Sequence, residues 1–131
     1  MISRILVTFC VVIFSVVVPI LEINASHVFN PEWPAHARFH EVWQLITNCG
    51  IGLLCLWLVW LKDNVQLASV LVVLVMGGVL VAHAIQGSYG GSMLSGNISQ
   101  TVFGLELGAF AALVAVAMAI GAAVLHARAK K

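Results

Sequence analysis

The chain has 131 residues, 62% of them hydrophobic and 8% charged, with a formal net charge of +1. A soluble domain carries about a quarter charged residues, so an ordinary soluble protein is excluded and lipid is the natural solvent. The length allows three or four membrane-spanning helices and no separate soluble domain. No basic patch argues for nucleic acid as a partner.

The first uncharged run, Ile5 to Leu21, is long enough to cross about 30 Å of hydrocarbon. It predicts a helix over about residues 4–22. Arg4 before it and Ile23-Asn24-Ala25 after it also fit a secretory leader, but we read the run as a retained transmembrane helix. Residues 23–34 form a polar outer loop with two turn or extended dipeptides, Asn30-Pro31 and Trp33-Pro34. Pro34 suits the first position of a helix, and helix two is expected over about residues 35–61. Trp33 and Trp43 near one end of it, and Trp57 and Trp60 near the other, make the aromatic belts of a spanning helix.

Lys62-Asp63-Asn64 reads as a short turn. Helix three is expected over about residues 65–86, with Gly77-Gly78 permitting a close helix contact or a bend. Residues 87–100 form a second outer loop, rich in small residues. Helix four is expected over about residues 101–126, with Gly104, Gly108 and Ala112 as its packing row. Cys10, Cys49 and Cys55 lie in apolar runs without a C-x-x-C pair. They read as buried thiols acting as small apolar residues.

The fold class is therefore all-α: an integral membrane four-helix bundle, one domain over residues 1–131. With both termini cytoplasmic, Arg4, Lys62, Arg128, Lys130 and Lys131 lie inside and only Arg38 outside, which satisfies the positive-inside rule. The short loops fit a bacterial inner (plasma) membrane; the endoplasmic reticulum is the alternative. Asn24-Ala25-Ser26 and Asn97-Ile98-Ser99 are glycosylation sequons on the outer side.

The chemistry concentrates between His27 and Asn48, which hold three of the five histidines. A span of about 30 Å takes about 20 residues. Counting that length from the inner end of each helix puts His40, Gln44, His83, Gln86 and Glu106 within about one turn of one plane. His36, His40, Gln44 and Thr47 also share an arc of about 80° on helix two. Glu41 and Arg38 point further round, toward headgroups or each other's neighbours rather than the bundle centre. Ionisable residues at membrane depth usually face the bundle interior. The sequence thus points to a polar pocket open to the outer leaflet, lined by His36, His40, Gln44, His83, Gln86 and Glu106. The same residues also fit an interfacial set satisfied by headgroups.

Three functions use these residues. The first is binding of a lipophilic small molecule, with isomerase-like acid–base chemistry by His40, His83 and Glu106. His36, Gln44, Gln86, Trp33 and Trp43 would then contact the ligand, unless the tryptophans serve only as interface anchors. The second is an accessory subunit of a larger membrane complex, or a homo-oligomer, docking through Trp33 and Arg38. The third is a metal site. His36 and His40 have the i, i+4 spacing that lets two imidazoles share one ion, and His83 and Glu106 would complete a set suited to zinc, iron or copper. Whether the chain is an enzyme stays open. No G-x-S-x-G, phosphate-binding glycine loop or c-type haem motif is present.

The segment from His27 to His40, HVFNPEWPAHARFH, resembles the signature of a family of small four-helix membrane proteins of bacteria and fungi that has no assigned activity. That resemblance implies four helices, and makes His27, Asn30, Pro31, Trp33, His36, Arg38 and His40 part of the family pattern. More distantly, a small bundle with an outer-leaflet His/Glu pocket is similar to the emopamil-binding and sterol-isomerase-like membrane families. This second likeness rests on architecture and residue types, and transfers no residue roles.

Overall fold

The computed structural model of the protein describes residues 1–94 and 100–130. The sequon Asn97-Ile98-Ser99 and Lys131 lie outside the described residues. Four helices are long and apolar enough to cross a membrane: α1 (Ile2–Glu22), α2 (Ala35–Trp60), α3 (Val65–Ser88, its last turn a 3₁₀ turn) and α4 (Leu107–Ala129). They pack up-down-up-down, each against its sequence neighbours, and α4 closes the ring against α1. Large apolar side chains such as Phe9, Ile20, Leu53, Leu74 and Ile120 face outward. That is the arrangement of a protein whose exterior is solvated by lipid rather than water.

The core is made of small and medium side chains. Val7, Cys10, Val11 and Phe14 of α1 meet Cys55, Leu58 and Val59 of α2, Val65, Ala68, Val72 and Met76 of α3, and an alanine row on α4. That row is Ala109, Ala112, Ala115, Ala119 and Ala122, at spacings of three and four, and it ends in His126. It presses α4 most closely onto α3. The expected row was Gly104, Gly108 and Ala112, and only Ala112 keeps its place. Gly108 is exposed and Gly104 is not in the helix.

Helix four begins at Leu107, not Thr101, because residues 101–106 form a hairpin. Strand β1 (Thr101–Val102) pairs antiparallel with β2 (Leu105–Glu106). Phe103 and Gly104 both have positive φ, 51° and 82°, which is the two-residue turn that matches strand twist. Glu106 therefore stands at the junction of strand and helix, as the residue before the first turn of α4.

In α1 the turn Ile13–Val17 is π-helical. Its cause is Pro19, which has no N–H to give the carbonyl of Ser15. The Cys49 thiol of α2 donates to that carbonyl instead, at 3.3 Å. The other thiols do the same between helices: Cys10 donates to the Ala115 carbonyl and Cys55 to that of Ala68, at 3.4 and 3.7 Å. Cys10 and Cys55 are buried as expected, Cys49 is only half-buried, and all three are also interhelical donors. Close approach of α1 and α2 is permitted by Gly52, where an added Cβ would stand 2.5 Å from Ser15 Cβ. Gly77 and Gly78 make no such contact: Gly77 has only Val73 at 4.0 Å, and Gly78 faces open space.

Both termini and the α2–α3 turn meet at one end of the bundle, around Asp63. Its carboxylate lies 2.9 Å from Arg4 Nη2, 3.1 Å from Lys130 Nζ and 3.6 Å from His126 Nε2. The hydrogen bonds from Lys130 and Arg4 hold the Asp63 carboxyl below the usual carboxylate range. Asn64 caps α3 by accepting from the Leu67 N–H at 3.1 Å. What reads in sequence as a plain polar turn is the charge hub of the terminal end.

Candidate functional site

The site lies at the opposite, loop end. A cavity of about 460 Å³ is lined by Gln44 and Asn48 of α2, by a stripe of α3 from Val75 to Gln86, and by Tyr89, Ser92 and Met93 beyond it. Gly78 leaves this space open, since it has no side chain to fill it. Tyr89 is fastened by its hydroxyl, which donates to the Ala82 carbonyl at 3.0 Å.

His83 forms part of the cavity wall. Gln86, one turn on, orients it. The Met93 N–H donates to Gln86 Oε1 at 3.2 Å, which fixes the amide so that its nitrogen faces His83 Nδ1, also at 3.2 Å. An amide nitrogen only donates, so Nδ1 accepts and the ring proton sits on Nε2. That Nε2 points at Glu106 Oε2, 3.5 Å away. The separation is long for a hydrogen bond and within reach of an ion pair. Both side chains are about three-quarters buried. The result is a carboxylate and an imidazole of fixed tautomer beside a cavity of mixed polar and apolar lining, an arrangement that can support proton transfer.

The predicted residues divide. Gln44, His83 and Gln86 line the cavity, and Glu106 reaches it through His83. His36 and His40 do not line it. Both are exposed and face each other, with Nε2 atoms 2.9 Å apart and rings perpendicular. Trp43 and Phe39 flank His40, with ring centroids 5.6 and 6.0 Å away. Trp33 stacks edge-on against His27 at 5.5 Å. Neither tryptophan is among the cavity-lining residues. Among the described residues no three His, Cys, Asp or Glu side chains gather to hold a metal ion. The four-ligand set of His36, His40, His83 and Glu106 is thus not assembled. Thr47 is exposed and Asn48 takes the cavity position, because four residues return closer to the face of Gln44 than three do.

Sequence reasoning missed a second polar group at this end. Glu22, the last residue of α1, pairs with His27 at 2.9 Å. His27 Nδ1 meets Ser26 Oγ at 2.7 Å, and that hydroxyl donates to Asn24 Oδ1 at 2.6 Å. Glu41, half-buried, lies within electrostatic reach of both Glu22 and His27. So Glu41 turns toward α1 rather than toward headgroups. Arg38 is also half-buried, with its Nε enclosed. The sequon Asn24 is engaged as a turn-former, since its amide also donates to the Leu21 carbonyl at 2.5 Å. Comparison with protein-family models, curated proteins and solved structures gives no match to this chain.

Proposed function

We propose that the protein binds a lipophilic small molecule in the His83 cavity, and that His83 and Glu106 perform isomerase-like acid–base chemistry on it. The observation that carries this reading is the Met93–Gln86–His83–Glu106 chain, which holds one imidazole tautomer against one carboxylate at the cavity wall. The void of about 460 Å³ is of the size that small ligands fill. In a double-bond shift, the Glu106 carboxylate takes a proton from an allylic carbon and returns one to the far alkene carbon, while the His83 Nε2–H, held by Gln86, orients the carboxyl group. Between the two transfers the carboxyl proton can exchange with solvent, and no oxidant or cofactor is consumed.

The cations gather at the terminal end; by the positive-inside rule this supports termini in the cytoplasm and a cavity toward the outer leaflet, which we take to be that of a plasma membrane. The test is mass spectrometry of extracts from purified wild-type protein, Gly78→Phe and Glu106→Gln. Wild type should retain a lipophilic molecule and exchange deuterium from solvent into it. Gly78→Phe should lose the molecule. Glu106→Gln should keep it and lose the exchange. Equal retention by wild type and Gly78→Phe would overturn the cavity reading. A stoichiometric protein partner in place of the molecule would favour the accessory-subunit reading instead.

A further inference from the structure

His36 and His40 are left over by the cavity, and their geometry is specific. The two Nε2 atoms face each other at 2.9 Å, the ring centroids are 4.4 Å apart, and the planes are at 89°. With metal–nitrogen bonds of about 2.05 Å, two nitrogens at the tetrahedral angle stand about 3.3 Å apart, and two at a right angle about 2.9 Å. The observed spacing fits adjacent corners of a square-planar or tetragonal site, the preference of Cu(II) and Ni(II). Both rings are open to solvent, so an ion can enter and water can fill the remaining positions. The His40 ring has Phe39 and Trp43 against it, with centroids 6.0 and 5.6 Å away, which limits its rotation before any ion arrives.

We propose that His36 and His40 form a two-histidine clamp for a divalent transition-metal ion of the Cu(II) type, at the loop end of α2. Without metal, one Nε2–H donates to the other nitrogen. On binding, the donor ring moves its proton to Nδ1, and both Nε2 lone pairs then face the ion. No net proton is released and no redox step is required. His36, His40, Gln44 and Asn48 repeat every four residues, about 6 Å apart along the axis. The clamp therefore sits on the row that leads into the cavity, one turn beyond Gln44. The inference does not depend on the acid–base reading of His83 and Glu106.

The experiment uses the purified full chain in detergent, stripped with a chelator and then loaded with Cu(II), with excess metal removed by gel filtration in a weakly coordinating buffer. Wild type should keep about one equivalent. Its low-temperature electron paramagnetic resonance spectrum should show two equatorial nitrogens, a readout that needs no variant. His36→Ala and His40→Ala should each weaken binding by about tenfold or more. Wild-type protein that retains no copper would overturn the proposal. So would copper held equally by both variants, or copper lost in His83→Ala but kept in His40→Ala.

Discussion

Two glycines in the helices make a matched test of how this bundle is held. Gly52→Ala and Gly78→Ala both gain the same helix propensity, about 1 kcal/mol, so that contribution cancels between them. Their surroundings differ. The new Cβ at position 52 would lie 2.5 Å from Ser15 Cβ and 2.6 Å from Ser15 Oγ, whereas the one at position 78 would meet nothing within 4 Å. The first distance is about 1 Å inside ordinary carbon contact. Ser15 Cβ is fixed to the backbone, and its hydroxyl is committed to the Val11 carbonyl at 2.7 Å, so the strain must move α1 away from α2. Such overpacking costs about 1–3 kcal/mol, or about 5- to 150-fold in the unfolding equilibrium constant. The assay is unfolding in mixed micelles by increasing SDS fraction, followed by far-ultraviolet circular dichroism. Gly52→Ala should have the lower midpoint. Equal midpoints, or a more stable Gly52→Ala, would show that α1 and α2 do not meet at Ser15.

Two further outcomes follow from the two ends. Asp63→Asn removes the negative charge shared by Arg4, His126 and Lys130, so its melting temperature should fall, and by less in high salt than in low salt. Because the folded carboxyl titrates below its unfolded value of about 3.9, its contribution is present above that value and disappears as pH falls through the lower folded one. The acid limb of a wild-type stability profile should therefore be steeper than that of Asp63→Asn, and identical limbs would refute the hub. At the other end, Gln86→Leu removes the donor to His83 Nδ1. Nitrogen NMR of labelled His83 should show one tautomer, protonated at Nε2, in wild type and a mixture in Gln86→Leu; a mixture in both would remove the orienting role of Gln86.

The number and extent of the helices are legible in sequence because lipid leaves the backbone few options, and a long uncharged run has one reading. Depth counting is legible for the same reason: it brings His40, Gln44, His83, Gln86 and Glu106 near one plane before any contact is known, although His40 stands outside the cavity. The start of α4 is not legible that way. Phe103-Gly104 lies in an apolar stretch, and only backbone conformation shows the turn that delays the helix to Leu107. The packing row fails for a related reason: alanine and glycine are interchangeable as small residues in a pattern, and register decides between them. The Glu22–His27–Glu41 group needs the path of the 23–34 loop, and the Asp63 hub needs three distant side chains to choose one partner. His36 and His40 share a row with Gln44, yet the cavity begins one turn below them. A helical row predicts a face, not where along it the neighbouring helix makes a wall.

The distribution of polarity also restricts how chemistry at the cavity can be supplied. Between the two polar ends the core consists of valine, alanine, cysteine, leucine, methionine and phenylalanine. Of the buried polar side chains among the described residues, Ser3 and His126 belong to the terminal end, and Ser69 alone stands between, with no hydrogen-bond partner for its hydroxyl. A proton relay needs donors and acceptors about 3 Å apart in succession, and one isolated hydroxyl does not connect His83 to Asp63. Protons taken up or released by His83 and Glu106 must therefore exchange with solvent at the loop end. On the acid–base reading proposed above, substrate, product and proton would thus share the loop end of the bundle.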